Sequence, residues 1–267
     1  MKLNQIVKLN EEANQADTIL SLIKTGCTPF LNLNMQKPLL KGIKTKKGDA
    51  LIKTDSQRVE NASEGISFLF DTMLQQNTKI VDASSQAIFC TTDLKIAKRA
   101  GKPCYIFPVG NAKVVWSHVD SGAAAGERQI IDKILEELAD TLDRPTLAPL
   151  HPAAIRGFFQ YAEKIDGVTV SSFLAPSKEH TEQIRFAAEW DGMMTKSLEG
   201  IDAKSFHSAM LKALKNTYKY FYTEGKMSEM KTALGEQAEE IMIVGGYYHI
   251  PVDKRSYAEV LADIMAA

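Results

Sequence analysis

The chain has 267 residues, with 45% apolar and 24% charged side chains, enough to bury a sizeable core in one large or two small domains. Its formal net charge of -1 excludes a global field for nucleic acid, so any anion site has to be local. No run of about 18 apolar residues marks a membrane span, and Met1-Lys2-Leu3-Asn4-Gln5 lacks the apolar core of a signal peptide. Three cysteines, Cys27, Cys90 and Cys104, form no Cys-x-x-Cys pair and leave an odd count. They read as reduced thiols of a cytosolic protein, two of them in buried strands.

In chain order, Ala16, Ile19, Leu20 and Ile23 recur at helical spacing, and Gly26 is a plausible C-cap. Pro38-Leu39-Leu40-Lys41-Gly42-Ile43 reads as a strand that ends exposed at the Lys-Gly step. The stretch from Lys44 to Asp49 reads as a basic loop tip. Asn61 and Glu64 resemble a capping pair for a helix carrying Ile66, Phe68, Leu69, Met73 and Leu74.

Ala87-Ile88-Phe89-Cys90 is a predicted buried strand ended by Thr91-Thr92-Asp93, with Asp93 capping a short helix from Leu94 to Ala100 that Gly101 stops. Strands follow at Cys104 to Phe107 and Val114 to Trp116. The link from Thr91 to Pro103 sits near the lower length limit for a parallel crossover, so it does not settle the strand pairing. Residues 124–222 are predicted as a helical insertion within a single α+β domain over 1–267. Ile130, Ile131, Ile134, Leu135 and Leu138 mark one helix, Arg144 to Pro152 a break, and further helical patterns cover 153–164, 179–198 and 204–222. A short helix at 227–236, two strands around Gly245-Gly246 and a closing helix from Arg255 to Met265 complete the chain.

Phosphate-binding Gly-x-x-x-x-Gly-Lys-Ser/Thr, dinucleotide Gly-x-Gly-x-x-Gly, zinc His-Glu-x-x-His and Gly-x-Ser-x-Gly motifs are all absent. The five histidines show no metal-ligand spacing. What stands out is Glu239-Glu240 running straight into the apolar Ile241-Met242-Ile243, because burial penalises an ionised carboxylate.

Three pieces occur in order: Leu39-Leu40-Lys41-Gly42, then Ile88-Phe89-Cys90-Thr91-Thr92, then Glu239-Glu240-Ile241-Met242-Ile243. Together they resemble the ADP-ribosyltransferase superfamily, in the branch whose motifs read Arg, Ser-Thr-Ser and Glu-x-Glu. Phe107-Pro108-Val109-Gly110, Trp116-Ser117 and Glu240-Ile241-Met242-Ile243 with Tyr247-Tyr248 also look like uncharacterised tailed-phage proteins. The resemblance implies an α+β fold with small mixed or antiparallel sheets. It implies a mono-ADP-ribosyltransferase acting from NAD on a host or phage macromolecule, in a bacterial cytoplasm or a virion. Its alternative is a non-catalytic phage structural or accessory protein on the same scaffold.

By the same resemblance, Glu240 would stabilise the charge building on the nicotinamide ribose, with Glu239 as the alternative register. Lys41 and Gly42 would hold the pyrophosphate or ribose, Thr91 and Thr92 would brace the ribose pocket, and Tyr247 would stack on nicotinamide. The chain departs from the pattern at Lys41, a point charge in place of the forked Arg, and at Ala238, where the family places Glu or Gln.

Overall fold

The computed structural model describes residues 18–33, 35–43, 66–81, 87–119, 124–189, 194–235, 238, 240–253 and 255–267. The Lys44 to Asp49 loop, the Asn61–Glu64 pair and Glu239 lie outside them. The chain divides into two compact units. One comprises residues 1–56, 87–116 and 224–267, and the other residues 57–86 and 117–223.

In chain order the described elements begin with α1 (residues 18–26), α2 (Thr28–Leu31), β1 (Leu40–Ile43) and α3 (Ile66–Thr78). Next come β2 (Ala87–Cys90), α4 (Leu94–Ala100), β3 (Lys102–Pro108) and β4 (Lys113–Ser117). The helical stretch holds α5 (Ala124–Leu142), α6 (Ala153–Lys164), α7 (Val170–Leu174), α8 (Lys178–Glu189) and α9 (Ala203–Phe221). Last are β5 (Tyr222–Lys226), α10 (Met230–Gly235), β6 (Glu240–Val244), β7 (Tyr247–Pro251) and α11 (Tyr257–Ala266). The fold is α+β with small antiparallel sheets: β1–β3, β3–β7 and β2–β6 all pair antiparallel. Among the described residues no helix is long and apolar enough to cross a membrane.

In the first unit, one sheet runs β1-β3-β7 and the other β2-β6-β4-β5. The turn at Gly245-Gly246 therefore does not close a hairpin; β6 and β7 join different sheets. The same holds for β2 and β3 across α4. Both crossings feed one core, where Phe30, Leu39, Phe107, Ile241, Ile243 and Ile264 are essentially sealed from solvent. Phe30 meets Phe107 edge-on at 6.1 Å, and Tyr257 lies 5.3 Å from Tyr105 and 6.4 Å from Phe107. Each such side chain contributes about 1.5–3 kcal/mol by leaving water.

Caps set the helix starts. Asp93 accepts from the Lys95 backbone N–H at 2.6 Å to start α4. Ser256 and Glu259 form a reciprocal capping box at α11.

The second unit is helical. Ile130, Ile131, Ile134, Leu135 and Leu138 of α5 are fully buried, and α9, whose Met210, Ala213 and Leu214 are also sealed from solvent, packs against α5. Phe68, Phe158, Phe159, Phe173 and Phe206 interlock with ring centroids 4.8–6.4 Å apart. Of the stretch predicted as one helix over 179–198, the described residues form α8 and a 3-10 turn at Lys196–Leu198.

Candidate functional site

The two sheets of the first unit meet at one backbone pair. Leu40 N–H donates to Thr91 O and Thr91 N–H to Leu40 O, each at 2.8 Å, so the end of β2 docks on the start of β1. On its other side β2 pairs with β6, Ala87 opposite Val244 through Cys90 opposite Ile241. Continuing that register by one residue sets Thr91 opposite Glu240. Directly opposed residues of antiparallel strands point to the same face, so Leu40, Thr91 and Glu240 form one row across three strands. Thr91 is 6% exposed and Glu240 7%, so the carboxylate at the head of β6 is a buried one.

The Thr91 hydroxyl accepts from the Asp93 N–H at 3.1 Å, which helps to turn the chain into α4. A hydroxyl has one proton to give besides what it accepts, so Thr91 keeps a donor for this face. Thr92 follows in the turn, partly exposed.

Lys41 is one residue further along β1, and alternation sends its side chain to the opposite face. There it stands between Cys104 of β3, its direct cross-strand partner, and Cys90 of β2. Burial lowers the pKa of the Lys41 ammonium below its ordinary value, with the nearby Cys90 acting in the opposite direction. Burial likewise pushes the Cys90 thiol up to about 12 and Cys104 to about 11, so both stay protonated at neutral pH. Among the described residues no carboxylate pairs with Lys41. A row of Cys104, Lys41 and Cys90 across three strands has no local signature in the sequence, because each residue comes from a different segment.

Gly42 has a packing reason of its own. A Cβ there would lie 2.1 Å from Ala97 O, 2.5 Å from Gly101 N and 2.8 Å from Ala100 C. The end of α4 rests directly on the β1 backbone, so the residue after Lys41 must be glycine with no ligand present. β1 also does not end at the Lys-Gly step; it runs through it to Ile43.

Tyr247 stands apart from this junction. It opens β7, opposite Pro108, whereas Lys41 lies level with Cys104 at the other end of β3. Four residues of strand, roughly 13 Å at about 3.3 Å per residue, separate those levels. Its ring sits 6.3 Å from the His249 ring.

The structure thus brings together Leu40, Thr91 and Glu240 on one face, and Lys41 with Cys90 and Cys104 on the other. Chemically, the first face offers a buried carboxylate beside a hydroxyl, and the second an ammonium without a counter-charge among the described residues. Among the described residues, no group of three His, Cys, Asp or Glu side chains is placed to hold a metal ion. Comparison with protein-family models, with curated proteins and with solved structures finds no match to this chain.

Proposed function

We propose that this chain is an ADP-ribosyltransferase-like protein that uses NAD as substrate at the row formed by Thr91 and Glu240. The observation that carries the reading is the row itself. A strand led by a glutamate and a strand ended by hydroxyl residues, far apart in sequence, lie side by side with Glu240 opposite Thr91 and both buried.

A carboxylate fixed in a place of low dielectric stabilises positive charge where it develops. In this reading Glu240 faces the ribose as nicotinamide leaves, and the Thr91 hydroxyl donates to a ribose oxygen or to Glu240. The departing bond is the glycosidic carbon–nitrogen bond; its electron pair leaves with nicotinamide, a lone pair of an acceptor group on a host or phage macromolecule forms the new bond to the ribose, and the acceptor's proton passes to solvent. Lys41 leaves β1 on the other face, so the reading assigns it no contact at the reacting ribose.

The test is release of nicotinamide from NAD by the wild-type chain and by Glu240→Gln. The expected result is turnover in the wild type and a loss of about a hundredfold or more in the variant, with both folded at the assay temperature. Equal turnover in the two would remove Glu240 from the reaction.

A second reading, a non-catalytic phage structural or accessory protein, is favoured by specific observations. Gly42 is required by α4, Thr91 helps to form a turn, and Lys41 stands among cysteines. Under it, saturating NAD leaves the melting temperature unmoved, since a ligand that binds only the native state must raise it.

A further inference from the structure

The helical unit carries a cleft of about 470 Å³ between the first turns of α8 and α9. Its volume falls within the roughly 300–1,000 Å³ usual for small-molecule sites. At its inner wall is His207, 7% exposed. Its Nε2 lies 2.7 Å from Phe173 O. A carbonyl oxygen only accepts, so Nε2 carries the proton and Nδ1 is left with a bare lone pair. Burial lowers the pKa of the ring, which keeps it neutral. No residue among those described bonds that Nδ1.

The other polar groups of the cleft sort into acceptors and donors. Thr181 spends its proton on Ser177 O at 2.8 Å and keeps its lone pairs. Glu182 is exposed, and it makes no ion pair with Lys178 although the two are four residues apart on α8; lysine preceding glutamate is the weaker order for such a pair. Lys204 and Ser208 line the α9 side. Asp202, by contrast, is committed to capping, with its two oxygens on Ser205 N at 2.9 Å and Ser205 Oγ at 2.6 Å.

A plain anion would face the lone pair of His207 and the Glu182 carboxylate. A plain cation would face Lys178 and Lys204. We propose that this cleft binds a small zwitterion, an amino acid carrying a primary ammonium and a carboxylate. The ammonium donates to His207 Nδ1, Thr181 and Glu182, and the carboxylate accepts from Lys178, Lys204 and Ser208. The site lies wholly in the helical unit and does not depend on the NAD reading.

The test is calorimetric titration of the full chain with glycine, β-alanine and γ-aminobutyrate, which differ in the spacing of the two charges. Betaine, which has no N–H, serves as the control. At least one of the three is expected to bind saturably at a single site, with betaine about tenfold weaker or worse. Glu182→Gln and Lys204→Met, both at exposed positions, should each weaken binding about fivefold or more. Nitrogen-15 spectra should show the His207 Nδ1 resonance moving with the same saturation curve. The proposal is overturned by no saturable binding of any of the three, by betaine binding equally well, or by binding that ignores both substitutions or leaves the His207 resonance still.

Discussion

Gly42→Ala separates a packing role from a ligand role at the first motif. The added methyl would sit 2.1 Å from Ala97 O and 2.5 Å from Gly101 N, both backbone atoms that cannot swing aside as a side-chain tip can. Relief requires α4 and β1 to part by more than an ångström, while Asp93 holds the start of α4 and β3 holds β1. Overpacking costs about 1–3 kcal/mol, and a clash against backbone on two sides belongs at the top of that range. At about 2–4 °C per kcal/mol for a chain of this size, the variant should melt about 6–12 °C lower without any ligand. Gly246→Ala in the same unit is the control. Its new methyl meets only Val109 carbons at 3.8 and 3.9 Å, so it should be neutral or gain about 0.4–1 kcal/mol from a less flexible unfolded chain. Thermal melts followed by circular dichroism decide it. A Gly42→Ala protein that melts within a degree or two of wild type would refute the close approach of α4 to β1.

Further expectations follow from the same structure. All three thiols are buried, and Cys27 and Cys90 are pushed to about 12 and Cys104 to about 11. A thiol-reactive disulfide reagent at pH 8 should therefore titrate none of the 3 cysteines quickly in the native protein and all of them in denaturant; fast native labelling would contradict their burial. Lys41 has a folded pKa below its ordinary 10.5, so the unfolded chain holds that proton more tightly and stability rises with pH between the two values. Lys41→Met should accordingly melt higher than wild type at pH 7, with the gap closing as pH climbs toward 10.5; a lower-melting variant would mean the ammonium has a stabilising partner. Asp202→Ala removes the cap of the 19-residue α9 and should cost about 1 kcal/mol in a denaturant titration. No measurable loss would mean the cap bonds contribute nothing.

Much of the local structure was legible in the sequence. Asp93 and Gly101 bracket α4 at the residues expected, and the apolar spacing of 153–164 matches α6 from end to end. β5 was not legible, since Tyr-Thr-Glu-Gly-Lys has no alternation and one apolar residue, the buried Tyr222, and its largely exposed edge position demands no more. The helix α7 was missed too; at five residues it is too short for periodicity, and only its Thr169–Ser172 capping box marks it.

The candidate site shows the same division. That Glu240 heads a buried strand and that Thr91 ends another can be read locally. That β6 and β7 part at Gly245-Gly246 into different sheets depends on long-range pairing that no window of residues encodes. The facing of Lys41 depends on the same pairing, because a single residue of register decides which side of a strand a side chain leaves.

The central claim, that Glu240 and Thr91 form an NAD site, is tested most directly by soaking NAD into crystals of this chain. The nicotinamide ribose is expected against the face shared by Thr91 and Glu240, with the glycosidic carbon toward the Glu240 carboxylate. Density on the Lys41–Cys90 face instead, or an unchanged structure at saturating NAD, would contradict it.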